Sequence, residues 1–96
     1  MPLELIIVTP QGEAFSGPVE RVVLPGTSGA FGVLESHEKL ATSLRTGPVE
    51  ILRTDGSTAR LTVSDGFAEV ADDRVVVLVT ECEIEANGPT QPTDDG

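Results

Sequence analysis

Aromatic residues are almost missing from this 96-residue chain: three Phe, no Trp and no Tyr. Without them there is no platform for stacking bases or sugars, and the core must be aliphatic. Cysteine occurs once, as Cys82, so no internal disulfide can form and a reduced, intracellular setting is the simplest reading. A lone Cys in a strand reads as a small apolar side chain. One Cys and one His (His37) cannot supply a four-ligand zinc site. Basic residues are scarce: six Lys and Arg face sixteen Asp and Glu, a formal net charge of −10. Such a surface repels nucleic acid and anionic headgroups, so neither is expected as a partner. No apolar run approaches membrane-spanning length, and Met1-Pro2-Leu3-Glu4 lacks the basic start of a signal peptide; direct membrane insertion is not expected. Helical spacing of apolar residues is never sustained over eleven positions, so no long helix is expected. A single turn near 36–39 is the best helical candidate.

What remains is a series of short apolar segments separated by Gly, Pro and Asp. Residues 3–8 (LELIIV) read as a first strand. Residues 13–15 resume an extended stretch, Ser16-Gly17-Pro18 marks a turn or bulge, and 19–24 (VERVVL) form the next strand. The chain is organised around 22–44, where Gly26, Gly29 and Gly32 imply tight turns between short strands. Strands follow at 30–34, 40–44 and 49–53. In the last of these Val49 and Ile51 share one face and Glu50 and Leu52 the other. Asp55-Gly56 predicts a two-residue hairpin turn with positive φ at both positions. Residues 60–64 return, Gly66 punctuates or bulges the pattern, and 67–70 continue it. Ala71-Asp72-Asp73 turns the chain into the apolar run 75–79, which fits a strand buried on both faces or packed against a partner. Phe67 reads as a core residue, and Phe31, between glycines, is the one expected at the surface. From Asn87 on, no side chain but proline is apolar. The pattern predicts an all-β fold over residues 1–86, a β-sandwich or flattened barrel, with the sandwich favoured because the chain is short and shows no large ligand-lining set of polar residues; a disordered, acidic, Pro-rich tail is expected over 87–96.

The groups that could carry chemistry are few. His37 has no nucleophile or metal set beside it, and Ser36 is adjacent in sequence, which places its side chain badly for a triad. Glu35 and Glu38 lie in a polar segment with nothing to raise a carboxylate pKa. Gly26-x-x-Gly29-x-x-Gly32 has the wrong spacing for a dinucleotide loop and no following Lys. Asp72-Asp73 has no third acidic ligand in its segment. The residues therefore imply no catalytic, cofactor or metal site, but a surface for contact.

The order of several motifs resembles the N-terminal β-sandwich domain of the epsilon subunit of F-type ATP synthases. Phe15-Ser16-Gly17 precedes Val19-Glu20 and Val22. Leu24-Pro25-Gly26 leads to Gly29-Ala30-Phe31-Gly32-Val33-Leu34, and His37 stands where the family's G-I-x-P-G-H motif has its histidine. Thr42 and Leu44 precede Gly47-Pro48-Val49, and Gly66-Phe67-Ala68-Glu69-Val70 precedes the last apolar strand. The likeness spans residues 3–86.

The resemblance implies a ten-stranded sandwich of two sheets without an active site. It would clamp the gamma subunit to the membrane c ring, so that proton flow turns the rotor. It implies peripheral attachment, through the complex, to the cytoplasmic face of a bacterial inner membrane. Ala30, Phe31, Glu35, Ser36, His37 and Glu38 would face the c-ring loops; Gly26, Gly29, Gly32, Gly56 and Gly66 would be structural turns. Glu35-Ser36 and Glu38-Lys39 replace the family's Pro-Gly and Ala-Pro around the histidine, which makes that loop more polar. The two-helix hairpin of most relatives has no counterpart in residues 1–96, so inhibition by helix extension and an ATP site are not expected of this chain. The clamp role requires an apolar patch on one sheet, exposed when the chain is alone. Apart from the family, the residues leave a second reading open: a stand-alone β-sandwich module that binds a soluble ligand or peptide.

Overall fold

The computed structural model describes residues 3–33 and 39–84. All regular structure there is strand: β1 Leu3–Thr9, β2 Gly12–Gly26, β3 Gly29–Val33, β4 Leu40–Leu44, β5 Gly47–Arg53, β6 Thr58–Val63, β7 Gly66–Ala71, β8 Arg74–Val79 and β9 Cys82–Ile84. The expected tail over 87–96 and the helical turn near 36–39 fall wholly or largely outside the described residues.

Nine strands lie among the described residues where the resemblance implied ten, and the break read at Ser16-Gly17-Pro18 is not a break. β2 runs through it for 15 residues. The ladder shows why Pro18 is tolerated. Pro18 pairs with Glu4, whose N–H instead donates to Asp73 O at 2.9 Å on the opposite side. N–H and C=O of one strand residue point the same way, so this pair exchanges no hydrogen bonds and the missing proline donor is not needed there.

β2 also joins the layers. Its first half pairs with β1, from Gly12 to Val19; its second half pairs with β5 and β3. Val19 is paired on both sides, to Leu3 and to Arg53, and the register with β5 slips between Val19 and Arg21. This bulge bends the strand and turns two neighbours, Glu20 and Arg21, to solvent between buried Val19 and Val22. One layer reads β2–β1–β8–β7–β4 and the other β3–β2–β5–β6–β9. The expected two sheets are thus two layers of one continuous set of pairings, also joined at Gly26–Leu44. β1 and β8 run parallel, and the other pairings are antiparallel.

Alternation does the rest. Each strand turns one set of side chains inward, and these form a single core of Leu, Ile, Val and Ala. No aromatic residue is among the fully buried, and no polar or charged residue is buried among those described. The scarcity of Phe is met by Phe15 and Phe31, which pack partly against this core.

Two turns exchange their expected chemistry. Asp55 does not take positive φ. Gly56 N–H donates to Arg53 O at 3.0 Å, Gly56 takes φ 91°, and Arg53 N–H donates to Ser57 O at 2.8 Å. This is a three-residue loop with a left-handed glycine rather than a two-residue turn. The Asp55 carboxylate accepts from Ser57 Oγ at 2.6 Å and Ser57 N–H at 2.9 Å, and these bonds hold its pKa below the ordinary carboxylate value. The two-residue turn lies at Asp72-Asp73, with φ of 52° and 62°. Short Asx side chains tolerate that region, which is why no glycine is needed.

Gly66 is needed for space. A Cβ there would overlap the Leu78 carbonyl oxygen and lie 2.9 Å from Val79 Cγ1, whereas one at Gly17 meets nothing within 4 Å. Gly66→Ala should therefore lose about 2–3 kcal/mol in urea unfolding, while Gly17→Ala stays within about 0.5 kcal/mol of wild type. Equal stabilities would contradict this packing. Cys82 lies half-buried against the core at the free edge of β9, and burial raises its thiol above the ordinary pKa. Its alkylation at pH 8 should be slower than that of a free thiol, recovering as pH rises.

Candidate docking surface

The residues proposed for one end of the molecule divide into two groups. Glu35, Ser36, His37 and Glu38 lie outside the described residues. Ala30 and Phe31 lie on β3, an edge strand that makes a hairpin with β2 through Pro25–Ala30 and Gly26–Gly29. Gly29 takes φ 130°, as the turn demands. Ala30 is exposed, but Phe31 is not the surface residue expected of it. Its ring lies across Gly26, where a Cβ would come within 2.9 Å of Phe31 Cε1, and it packs against the core. Gly32 leaves ordinary space beside Val23.

The exposed aromatic is Phe67, at 61%. On β7, Ala68 and Val70 point into the core, so Phe67 and Glu69 share the outer face. On β8, Val75, Val77 and Val79 point in, while Val76 and Leu78 point out; Leu78 is 50% exposed. On β1, Ile6 and Val8 point out. Register aligns them into two rows across the layer: Ser43, Phe67, Leu78, Val8 and Glu13 in one, and Ala41, Glu69, Val76, Ile6 and Ser16 in the next. Five large apolar side chains (Phe67, Leu78, Val8, Val76 and Ile6) thus form one contiguous outward patch. A shallow groove of about 480 Å³ opens on it between Thr27, Ser43, Phe67 and Leu78.

The outer face of the other layer differs. There Glu50 and Arg60 pair at 3.7 Å with both side chains about half exposed. Thr58, Thr62 and Glu83 accompany them at outward positions. That is a solvated face; the β1–β8–β7–β4 face is one that water covers poorly. The continuous run 75–79 hinted at this, but Phe67 was assigned to the core. The available signal was its shared parity with Glu69.

No group of three or more His, Cys, Asp or Glu that could hold a metal occurs among the described residues. No helix among them is long and apolar enough to cross a membrane.

Residues 2–85 match the family described as ATP synthase, Delta/Epsilon chain, beta-sandwich domain. The ATP synthase epsilon chain of Helicobacter pylori strain P12 is 42% identical over 76 residues, covering 79% of this chain and 61% of that protein. The epsilon chain of Campylobacter fetus strain 82-40 is 40% identical over 77 residues, 80% of this chain and 60% of its own. This chain thus spans about three fifths of the length of these relatives. A chain in the cryo-EM structure of the Euglena gracilis mitochondrial ATP synthase (OSCP/F1/c-ring, rotational state 1) superposes with a TM-score of 0.81 at 25% identity, over 86% of this chain and 53% of that one. A chain in the Tetrahymena thermophila mitochondrial ATP synthase central stalk/c-ring structure, with a TM-score of 0.66 at 18% identity, shares the fold. With its strand series, its glycine positions and this match over 84 residues in register, the chain belongs to the Delta/Epsilon β-sandwich family of ATP synthases.

Proposed function

We propose that this chain is a non-catalytic central-stalk subunit of an F-type ATP synthase, coupling the gamma subunit to the membrane c ring for proton-driven ATP synthesis. The observation that carries the reading is the apolar outer face of β1, β8, β7 and β4, on a chain whose relatives are epsilon chains. A rotor coupling needs rigid contact over an area. A folded sheet with five outward apolar side chains offers that without any chemistry of its own. Gamma docks on this face; the solvated face with the Glu50–Arg60 pair stays in water.

The β2–β3 hairpin and the segment after it face the c ring. Ala30 is available for contact there. Phe31 stiffens the hairpin by lying over Gly26 rather than touching the ring itself. Glu35, Ser36, His37 and Glu38 are proposed contacts by family resemblance. The net charge of −10 suits basic loops on the ring. Through the complex, the chain sits at a bacterial inner membrane. Residues 1–86 act as the sandwich domain. No observation favours the stand-alone ligand-binding module.

Binding of the purified chain to gamma from the same genome tests the proposal. Wild type should bind, and Phe67→Asp should weaken binding by roughly 30-fold or more while leaving the circular dichroism spectrum unchanged. A folded wild-type chain that does not bind gamma would overturn it.

A further inference from the structure

The apolar face carries one carboxylate within it. Glu69 lies between Ala41 and Val76 in the second row, with outward Ile6 beyond Val76, and two residues from Phe67 along β7. It is exposed, and no hydrogen bond or ion pair engages it among the described residues. In water that costs nothing. Once the face is covered, the carboxylate loses its water, and an ionised carboxylate without a partner in an apolar contact is expensive.

The chain has little with which to neutralise it. At outward positions of the strands forming this face the acids are Glu4, Glu13 and Glu69, and the one cation is Arg74. Arg74 stands opposite Glu4 on β1 and Ala71 on β7, two pairs along from the Glu69–Val76 pair and next to it on the outward face. Glu4 competes for it, and no ion pair joins it to Glu69 in the structure. The face therefore has an apolar centre, a net negative charge and an embedded acid with an unfilled need for a donor.

We infer that Glu69 selects the docking partner by its charge: the surface of gamma that covers this face presents an Arg or Lys directly to Glu69, within an otherwise apolar contact. This rests on the proposed docking of gamma. It goes further in naming the chemistry that the partner must present and the residue that reads it. Apolar contact alone is tolerant of register, because one greasy patch slides over another. A desolvated acid–base pair is not, since misplacing it strands two charges. Glu69 thus sets the rotational register of the sandwich on the stalk, as the Phe67 patch supplies adhesion.

The test measures affinity for gamma with wild type, Glu69→Gln, Glu69→Lys and Phe67→Asp, each checked for folding by circular dichroism. Glu69 sits on an outward strand position and touches no core residue's packing, so its variants should fold as wild type does. Glu69→Gln should bind about 30-fold more weakly and Glu69→Lys more weakly still. One charge-reversed gamma variant, Arg→Glu or Lys→Glu, from a scan of its basic residues should restore binding of Glu69→Lys. Glu69→Gln binding as tightly as wild type while Phe67→Asp fails would overturn the inference and leave the docking proposal standing. Rescue of Glu69→Lys by Arg74→Glu, in place of any gamma variant, would also overturn it, because the pair would then lie within this chain. Absence of wild-type binding would overturn both.

Discussion

The bend in β2 is the constraint on which the rest of the molecule depends. A 15-residue strand is too long for one layer of so small a sandwich, and its two halves therefore serve different layers. Val19, fully buried, is paired to both layers at once, and the slip beside it turns the strand from one to the other. With the layers fixed to each other through one backbone, parity decides every remaining side chain. A one-residue slip in β7 or β8 would bring Phe67 and Leu78 inward and expel the valines. Rigidity of this kind suits a part that transmits torque, since force applied to one layer passes through continuous hydrogen-bonded pairing to the other.

The same parity makes the two outer faces unlike. On the β5–β6 side the Glu50–Arg60 pair bridges neighbouring strands, with Thr58 and Thr62 on either side of Arg60, an arrangement that water solvates well. On the β1–β8–β7–β4 side Ile6, Val8, Phe67, Val76 and Leu78 adjoin one another at outward positions, with Glu69 among them. Both faces are equally compatible with the core, so stability does not explain the difference; the proposed docking of gamma would. The low aromatic count sharpens the point, since of three Phe, one is placed outside the fold at 61% exposure. Burying it would be worth about 1.5–3 kcal/mol to the chain alone, and that gain is left for an encounter.

Much of this was legible beforehand. Strands over 3–8, 40–44, 49–53 and 75–79 follow directly from alternation and β-branched content, and the aliphatic core follows from the missing aromatics. The misreadings share a cause: local punctuation was weighed without knowing the ladder. Ser16-Gly17-Pro18 looks like a break until Pro18 is seen at a pairing that needs no donor. Asp55-Gly56 looks like the tightest turn, yet Arg53 and Ser57 close a longer loop there, and Asp72-Asp73 takes the two-residue turn. Phe31 between glycines looks exposed because sequence cannot show that Gly26 leaves a ring-shaped space. Phe67 was the costliest miss for function, although Glu69 two residues on marked its face as the outer one. The segment holding His37 lies outside the described residues, so its proposed ring contacts rest on resemblance.

The central claim is that the β1–β8–β7–β4 face is the one gamma covers. Amide NMR shift mapping of the isotopically labelled chain, with and without gamma, addresses it most directly. The account predicts that the largest perturbations fall at residues 6–8, 41–43, 67–69 and 76–78, with 50 and 60 unmoved. Perturbations centred on Glu50 and Arg60, with Phe67 unchanged, would contradict it.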